Sequence, residues 1–462
     1  MKHFKDHVTD LKIAYIGGGS RGWAWGLMSD LARCDKLSGS VYLYDIDKHA
    51  AHANEIIGAK SGSNFTYKAT DTLKEALCGA DFVIISILPG TFDEMESDVH
   101  APEKYGIYQS VGDTTGPGGI VRAMRTIPMY ITFAEAIKNY CPNAWVINYT
   151  NPMAMCINTL YSVFPQIKAF GCCHEVFGTQ KVLVNALREA GIADENTTRY
   201  DIYTNPLGLN HFTWITKATY QGKDIFPVYK QFCEKHHETG VTQADTNWAN
   251  SFFTSCEKVK MNLFLNFGSI AAAGDRHLAE FCPGNWFLKN PETVKEWCFT
   301  LTPVSFRKQQ LKDRLDRSER LVSGKEEFTL NPTGEEGVNQ MCAILGLGNM
   351  ITNVNMPNRG QIPNVPLGTV VETNAVFSSD SVMPQYAGNL PSAVYALSAP
   401  AISIQNEVVK ASLTRDINRV FAAFMTDRLT DRLSFADSKA LFKTMCINTQ
   451  KYLDGWNLSD LK

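Results

Sequence analysis

Through the first 190 residues, short apolar runs alternate with amphipathic stretches. Residues 12–16, 41–44, 82–88, 145–147 and 168–170 read as buried strands, and residues 21–33, 121–138 and 176–190 carry the spacing of helices between them. Strands alternating with helices imply right-handed crossovers and a parallel sheet covered on both faces. The expected class is therefore α/β, with a Rossmann-type doubly wound sheet whose ligands gather at the carboxyl ends of the strands. Beyond about residue 200 the pattern turns irregular. Asn205-Pro206, Pro283-Gly284 and the turn-rich stretch 353–368 interrupt it, while residues 401–428, beginning after Pro400, and 434–453 look helical. This predicts one domain over residues 1–200 and a second, mixed α+β domain over 201–462.

Directly after the first strand stands Gly17-Gly18-Gly19-Ser20-Arg21-Gly22, a GxGxxG turn leading into a helix. Glycines there allow a tight turn and close backbone approach, so that a pyrophosphate can lie against free amides at a helix N-terminus. Gly17, Gly19, Ser20 and Gly22 are the expected cradle. The next strand ends in Asp45, 23 residues after Gly22, where a carboxylate can accept from both ribose hydroxyls and would repel the extra phosphate of NADP. NAD is the expected cofactor, and the first domain is read as its binding domain.

Composition narrows the class without adding chemistry. The 462 residues carry 44 basic and 47 acidic side chains, a net charge of −3, and no basic run that would attract nucleic acid or anionic lipid. The opening MKHFKDHVTDLK lacks the apolar core of a secretory signal, and residues 82–88 are far too short to span a bilayer. The 12 cysteines are scattered, without a CxxC, which points to a reduced, cytoplasmic chain rather than a disulfide scaffold or zinc ribbon.

Four polar clusters follow the cradle: residues 111–119 around Asp113, residues 148–152 around Asn151, Cys172-Cys173-His174-Glu175, and Asn210-His211. Strand ends of a doubly wound sheet converge on one rim, so these clusters can surround a nicotinamide. Cys173 and His211 suit a borderline transition metal better than magnesium or calcium. Their separation of 38 residues is no recognised metal spacing, and by spacing alone a buried thiol and a hydrogen-bonded core histidine are the simpler reading.

Taken in order, KIAYIGGGS, YLYDID, VGDTTGPGGIVRAMRTIP, NYTNPM, CCHEVFG, GLNHFTW, GDRHLAEF and GQIPNVPLGTVVE resemble glycoside hydrolase family 4, from Lys12 to about Glu372. These are NAD-dependent glycosidases with a fold like that of lactate and malate dehydrogenases, and they stand outside the two-carboxylate scheme of most glycosidases. The resemblance implies manganese held by Cys173 and His211, a sugar-contacting amide at Asn151, and His174 beside the scissile bond. Asp113 joins the catalytic group. Where phospho-sugar members carry a tyrosine base, this chain has Gly274-Asp275-Arg276-His277, so Asp275 is the expected base. Arg276 and His277 are expected at the substrate, Arg276 either on a uronate carboxylate or as a brace for its loop.

The chemistry so implied is oxidation at C3 by NAD, loss of the acidified C2 proton, expulsion of the C1 substituent, addition of water and return of the hydride. His174 after the cysteine argues for an unphosphorylated sugar, and Cys173-His174-Glu175-Val176 is similar to members acting on α-galacturonides. α-Glucuronidase and α-galactosidase are the alternatives within the family. An NAD-dependent hydroxy-acid dehydrogenase and a silent dinucleotide-binding module are the alternatives outside it. The expected partner is a small carbohydrate, not nucleic acid or membrane, in a homodimer or homotetramer.

Overall fold

The computed structural model describes residues 1–242, 253 and 255–461. Its framework is one 14-stranded sheet. Six strands are parallel, in the spatial order Lys168–Gly171, Trp145–Asn148, Phe82–Ile85, Val8–Ile16, Leu37–Tyr44, Phe65–Thr70. This is the expected Rossmann-type, doubly wound arrangement, and Val8–Ile16 is its central strand. The sheet does not stop there. Met350–Pro357 adds antiparallel to Lys168–Gly171 through Asn355 and Gly171, followed by Val370–Ser378, Ile202–Leu209 and Phe212–Tyr220. The purely parallel sheet predicted from the pattern is thus the half of a mixed one.

Several elements escaped the pattern, the helices Leu73–Leu77, Phe92–His100 and Met153–Val163 and the two neighbours described next among them. Lys48–Gly58 is a helix capped by Asp47, and Phe65–Thr70 is a parallel strand at the edge of the sheet. In that strand Phe65 and Tyr67 are buried while Thr66 and Lys68 are exposed, because only one of its faces meets the core. The central stretches covered on both faces, residues 13–16 and Phe82–Ile85, are apolar throughout and were legible. The strand expected over 82–88 ends at Ile85, and the helix expected from 121 begins at Gly116.

The predicted helix over 401–428 is two helices. Ser392–Thr414 runs through Pro400, whose missing N–H leaves the carbonyl of Ala396 open, and Arg428 donates to that oxygen at 3.4 Å. The chain reverses at Arg415 (φ 57°), and Asp416 caps Ile417–Met425 by accepting from Asn418 and Arg419. The region 434–453 is the helix Phe435–Asn448 followed by a short 3₁₀ turn.

Helices Trp23–Ala32 and Gly337–Ile344 cover one face of the sheet, and Gly116–Tyr140 and Met153–Val163 cover the other. The C-terminal helices pack on Gly116–Tyr140. Arg125 of that helix is fully buried against Asp98 and donates from Nε to the carbonyl of Pro89 at 2.9 Å, which pins the loop after strand Phe82–Ile85. All twelve cysteines are free thiols. Among the described residues no helix is long and apolar enough to cross a membrane.

Candidate active site

The turn after Val8–Ile16 has room for backbone only. Gly17 lies at φ +93°, and a Cβ on it would sit 2.0 Å from the carbonyl oxygen of Ser86. A Cβ on Gly19 would meet Ala50 at 2.7 Å and the Asp45 carboxylate at 2.8 Å. Ser20 Oγ accepts from the amide of Trp23 at 3.2 Å, and Gly22 is the N-cap of Trp23–Ala32. Asp45 accepts from Gly19 at 2.9 Å and from Asp47 at 3.0 Å. Burial raises its pKa. A side-chain-free turn at a helix N-terminus, tied to an acid at the end of the neighbouring strand, fits a dinucleotide.

This cradle opens into a cavity of about 1020 Å³. Gly17, Gly19, Ser20, Asp45, Asp113, Asn151, Cys173, His174, His211, Asp275, Arg276 and His277 all line it. Of the residues assigned a role from the sequence, Gly22 alone is not on its wall, serving instead as the N-cap of Trp23–Ala32.

Within the cavity, donor atoms of Asp113, His211 and His277 lie within 4.8 Å of one another. Asp113 sits in a loop held by Glu280 Oε1, which accepts from Val111 at 2.7 Å and Gly112 at 2.9 Å. His211 occupies the turn between Ile202–Leu209 and Phe212–Tyr220 at φ +66°, with Nδ1 3.0 Å from Thr114 Oγ1. His277 lies in the helix Asp275–Phe281, and its ring centroid is 3.8 Å from that of His211. Asn151 donates to Asp113 at 3.5 Å through Nδ2, and Arg122 Nε donates to the Asn151 carbonyl at 3.1 Å.

Electrostatics sort these groups into anions and neutral bases. Burial opposes ionisation of Asp113, yet Arg122, His277 and His211 hold its carboxyl below the usual range. Burial likewise opposes ionisation of Glu175, and His277, His174 and His211 outweigh it, to about 2. Burial and the neighbouring His277 push His211 down to about 3, and burial lowers His277. Two neutral imidazoles beside an ionised carboxylate form a cation-binding donor set. Asn151 Oδ1 and His277 Nδ1 are buried without a hydrogen-bond partner, as a site built for a further ligand leaves them.

Cys173 faces the same cavity but does not join this group of three. Burial, with Glu372, Glu175 and Glu335 nearby, raises its thiol well above the usual value, so a cation is needed to favour the thiolate. Asp275 Oδ1 accepts from the amide of Lys260 at 3.0 Å, Oδ2 has no hydrogen-bond partner, and burial with the nearby Glu257 pushes the carboxyl up to about 7. Arg276 takes the bracing arrangement. Nε donates to Thr300 at 3.0 Å, Nη2 to Ser110 and to Thr302 Oγ1, and the guanidinium lies 3.9 Å over the Phe253 ring. His174 Nδ1 is 2.6 Å from Glu335 Oε1.

Sequence reasoning missed Glu175, Arg122, Glu280 and Glu335. Glu175 and Arg122 stand inside quoted motifs, so the motifs themselves were the signal. Glu280 and Glu335 act on residues 169 and 161 positions away, a separation no local pattern reveals.

Models of the family 4 glycosyl hydrolase and of its C-terminal domain match residues 12–189 and 207–430. An α-galacturonidase of Thermoanaerobacterium saccharolyticum is 60% identical over 99% of this chain and 100% of its own length. The crystal structure of a Bacillus subtilis protein, 51% identical, superposes with a TM-score of 0.90 over 95% of this chain and all of that one. A 6-phospho-α-glucosidase from gut microorganisms, crystallised with NAD and Mn²⁺, is 19% identical with a TM-score of 0.77 over 97% and 100% of the two chains, a likeness of fold. With both halves matched in order and a relative so similar from end to end, the chain belongs to glycosyl hydrolase family 4.

Proposed function

We propose that the protein hydrolyses α-galacturonides with NAD and manganese. The observation that carries this reading is one cavity holding a dinucleotide cradle, a His–His–Asp cation set and His174, in a chain 60% identical to an α-galacturonidase along its whole length. NAD would lie against Gly17, Gly19 and Ser20, with Gly22 as the N-cap of Trp23–Ala32 and Asp45 at the ribose. The cation would be held by His211 with Asp113 and His277, and Cys173 and Asn151 Oδ1 border the same space. When bound, the two groups supply reversible hydride acceptance and Lewis acidity at adjacent sugar carbons.

The chain's own residues carry the protons. Asp275, a residue of the cavity lining whose Oδ2 has no hydrogen-bond partner, is the base for the C2 proton. His174 protonates the departing C1 oxygen. Asn151 orients a sugar hydroxyl, and Arg276 shapes the wall through Ser110 and Thr300. Residues 1–200 serve the dinucleotide and residues 201–462 complete the substrate and metal site. The reading includes a reduced, cytoplasmic setting and a homodimer or homotetramer.

A panel of aryl α-galacturonide, α-glucuronide, α-galactoside and α-glucoside, with catalytic NAD, manganese and a thiol reductant, tests it. Cleavage of the galacturonide with many turnovers per NAD is the expected result. Failure on all four overturns the hydrolase reading, preference for another sugar overturns the substrate, and stoichiometric NADH release makes the protein a dehydrogenase.

A further inference from the structure

We infer that Cys34 and Cys342 form a redox-active dithiol, which a small-molecule disulfide such as oxidised glutathione closes into a reversible bond that locks the seam between the two halves of the chain. Their sulfurs lie 3.8 Å apart although the residues are 308 positions apart in sequence. Cys34 belongs to the region matched by the family 4 model and Cys342 to the region matched by its C-terminal domain. Neither lines the cavity, so this site is independent of the glycosidase chemistry.

Both thiols stand on backbone that is already fixed. Cys34 sits in the turn after Trp23–Ala32, where its amide donates to the Leu31 carbonyl at 3.2 Å, and strand Leu37–Tyr44 begins three residues later. Cys342 lies in helix Gly337–Ile344, and its carbonyl accepts from the amide of Leu347 at 2.9 Å. The segment leading into that helix is tied to Trp23–Ala32 a second time. Asn331 donates from its amide to Ser29 Oγ at 3.0 Å, Thr333 donates from N and Oγ1 to Asp30 at 3.1 and 2.5 Å, and a Cβ on Gly26 would run into Thr333 Cγ2. Trp23 and Thr333 of this seam line the cavity. An S–S bond is about 2.05 Å long, so closure asks for roughly 1.8 Å of approach, shared between two rotatable side chains on a seam that is already tied.

The two thiols are not equivalent. Cys34 is half-buried and Cys342 is buried. The Cys342 thiol, and then the amides of Lys36 and Leu37, favour the Cys34 thiolate and lower its pKa against burial and the charge of Asp35, while the same contact and burial raise that of Cys342. A partly exposed thiolate beside a second thiol is the arrangement that reacts with a small disulfide and then resolves the adduct. Cys34 attacks first. Its sulfur bonds to one sulfur of oxidised glutathione, the S–S bond of the glutathione breaks, and the first glutathione leaves as a thiolate. Cys342 then loses its proton and attacks the Cys34 sulfur, which expels the second glutathione. Two protein thiols are oxidised, one glutathione disulfide is reduced to two thiols, and the two protons that leave the protein end on those thiols. Excess reduced thiol runs the exchange backwards.

The test uses the full-length protein loaded with NAD and manganese, equilibrated against a series of ratios of oxidised to reduced glutathione, then denatured, alkylated and mapped by mass spectrometry. A peptide pair joined through Cys34 and Cys342 should appear as the ratio rises and vanish on addition of dithiothreitol. In Cys342→Ser one glutathione should stay on Cys34, whereas in Cys34→Ser the thiol of Cys342 should remain unmodified. Calorimetry should place the unfolding midpoint of oxidised wild type several degrees above that of the reduced protein, because the bond restrains roughly 300 residues of unfolded chain. Glutathione that stops on Cys34 in wild type, other cysteines joining before this pair, or a midpoint that does not rise would overturn the inference. The mapping of wild type needs no variant to fold. No glycoside enters the experiment, so these results read the same whichever sugar the protein cleaves.

Discussion

Replacing Asp45 by alanine separates the ribose assignment from a merely structural acid. A carboxylate offers about four acceptor sites, two on each oxygen. Gly19 takes one on Oδ2 and Asp47 takes one on Oδ1, which leaves about one per oxygen for the two ribose hydroxyls. At roughly 1.5 kcal/mol net for each charge-assisted bond, two lost bonds cost about 3 kcal/mol. That weakens NAD roughly 150-fold. NADP begins with its 2′-phosphate opposed by the same carboxylate, so its affinity should change by less than about 5-fold or improve. Both Kd values can be followed by calorimetry or by the fluorescence of Trp23, which lines the cavity. Equal weakening of the two nucleotides, or an NAD loss below about 5-fold, would refute the reasoning. The acid would then do no more than tie the glycine turn to Asp47.

Three further outcomes are expected. Cys173→Ser should lose manganese-dependent activity and weaken manganese binding, read by electron paramagnetic resonance, with NAD affinity kept; unaltered manganese affinity would take Cys173 out of the site and leave Asp113, His211 and His277 to hold the ion. Asp275→Asn should slow deuterium exchange at C2 by about 10²-fold or more, while substrate-dependent reduction of NAD persists, and normal exchange would assign the base elsewhere. Asp98→Ala strands the buried guanidinium of Arg125 and should cost about 3 to 5 kcal/mol in denaturant unfolding, whereas Asp98→Leu with Arg125→Met should recover more than half. A loss below about 1 kcal/mol would mean that water reaches the site despite the complete burial of both side chains.

Much of the nucleotide half was legible because its determinants are local. A stretch of strand covered on both faces must be apolar along its length, as residues 13–16 and Phe82–Ile85 are. Phe65–Thr70 was missed for the converse reason, since an edge strand with one wet face carries a weaker signal. Pro400 misled because its effect depends on Arg428, which caps the freed carbonyl from a distant loop. The continuation of the sheet into Met350–Pro357 and Val370–Ser378 was equally hidden, as its junction is a single pairing between Asn355 and Gly171.

The site divides along the same line. Chain order alone determined the glycine turn, the acid at the end of the following strand, and the motifs carrying Asn151, Cys173, His174 and His211, because each follows from backbone geometry or residue chemistry within a few positions. Only the folded chain decided that His277 stacks on His211, that Asp113 completes a donor set with them, that Arg276 spends its donors on Ser110, Thr300 and Thr302, and that Glu335 meets His174. Those are encounters between elements far apart in sequence. Their energies depend on burial and on the charge of neighbours, quantities that do not exist until the chain has closed around them.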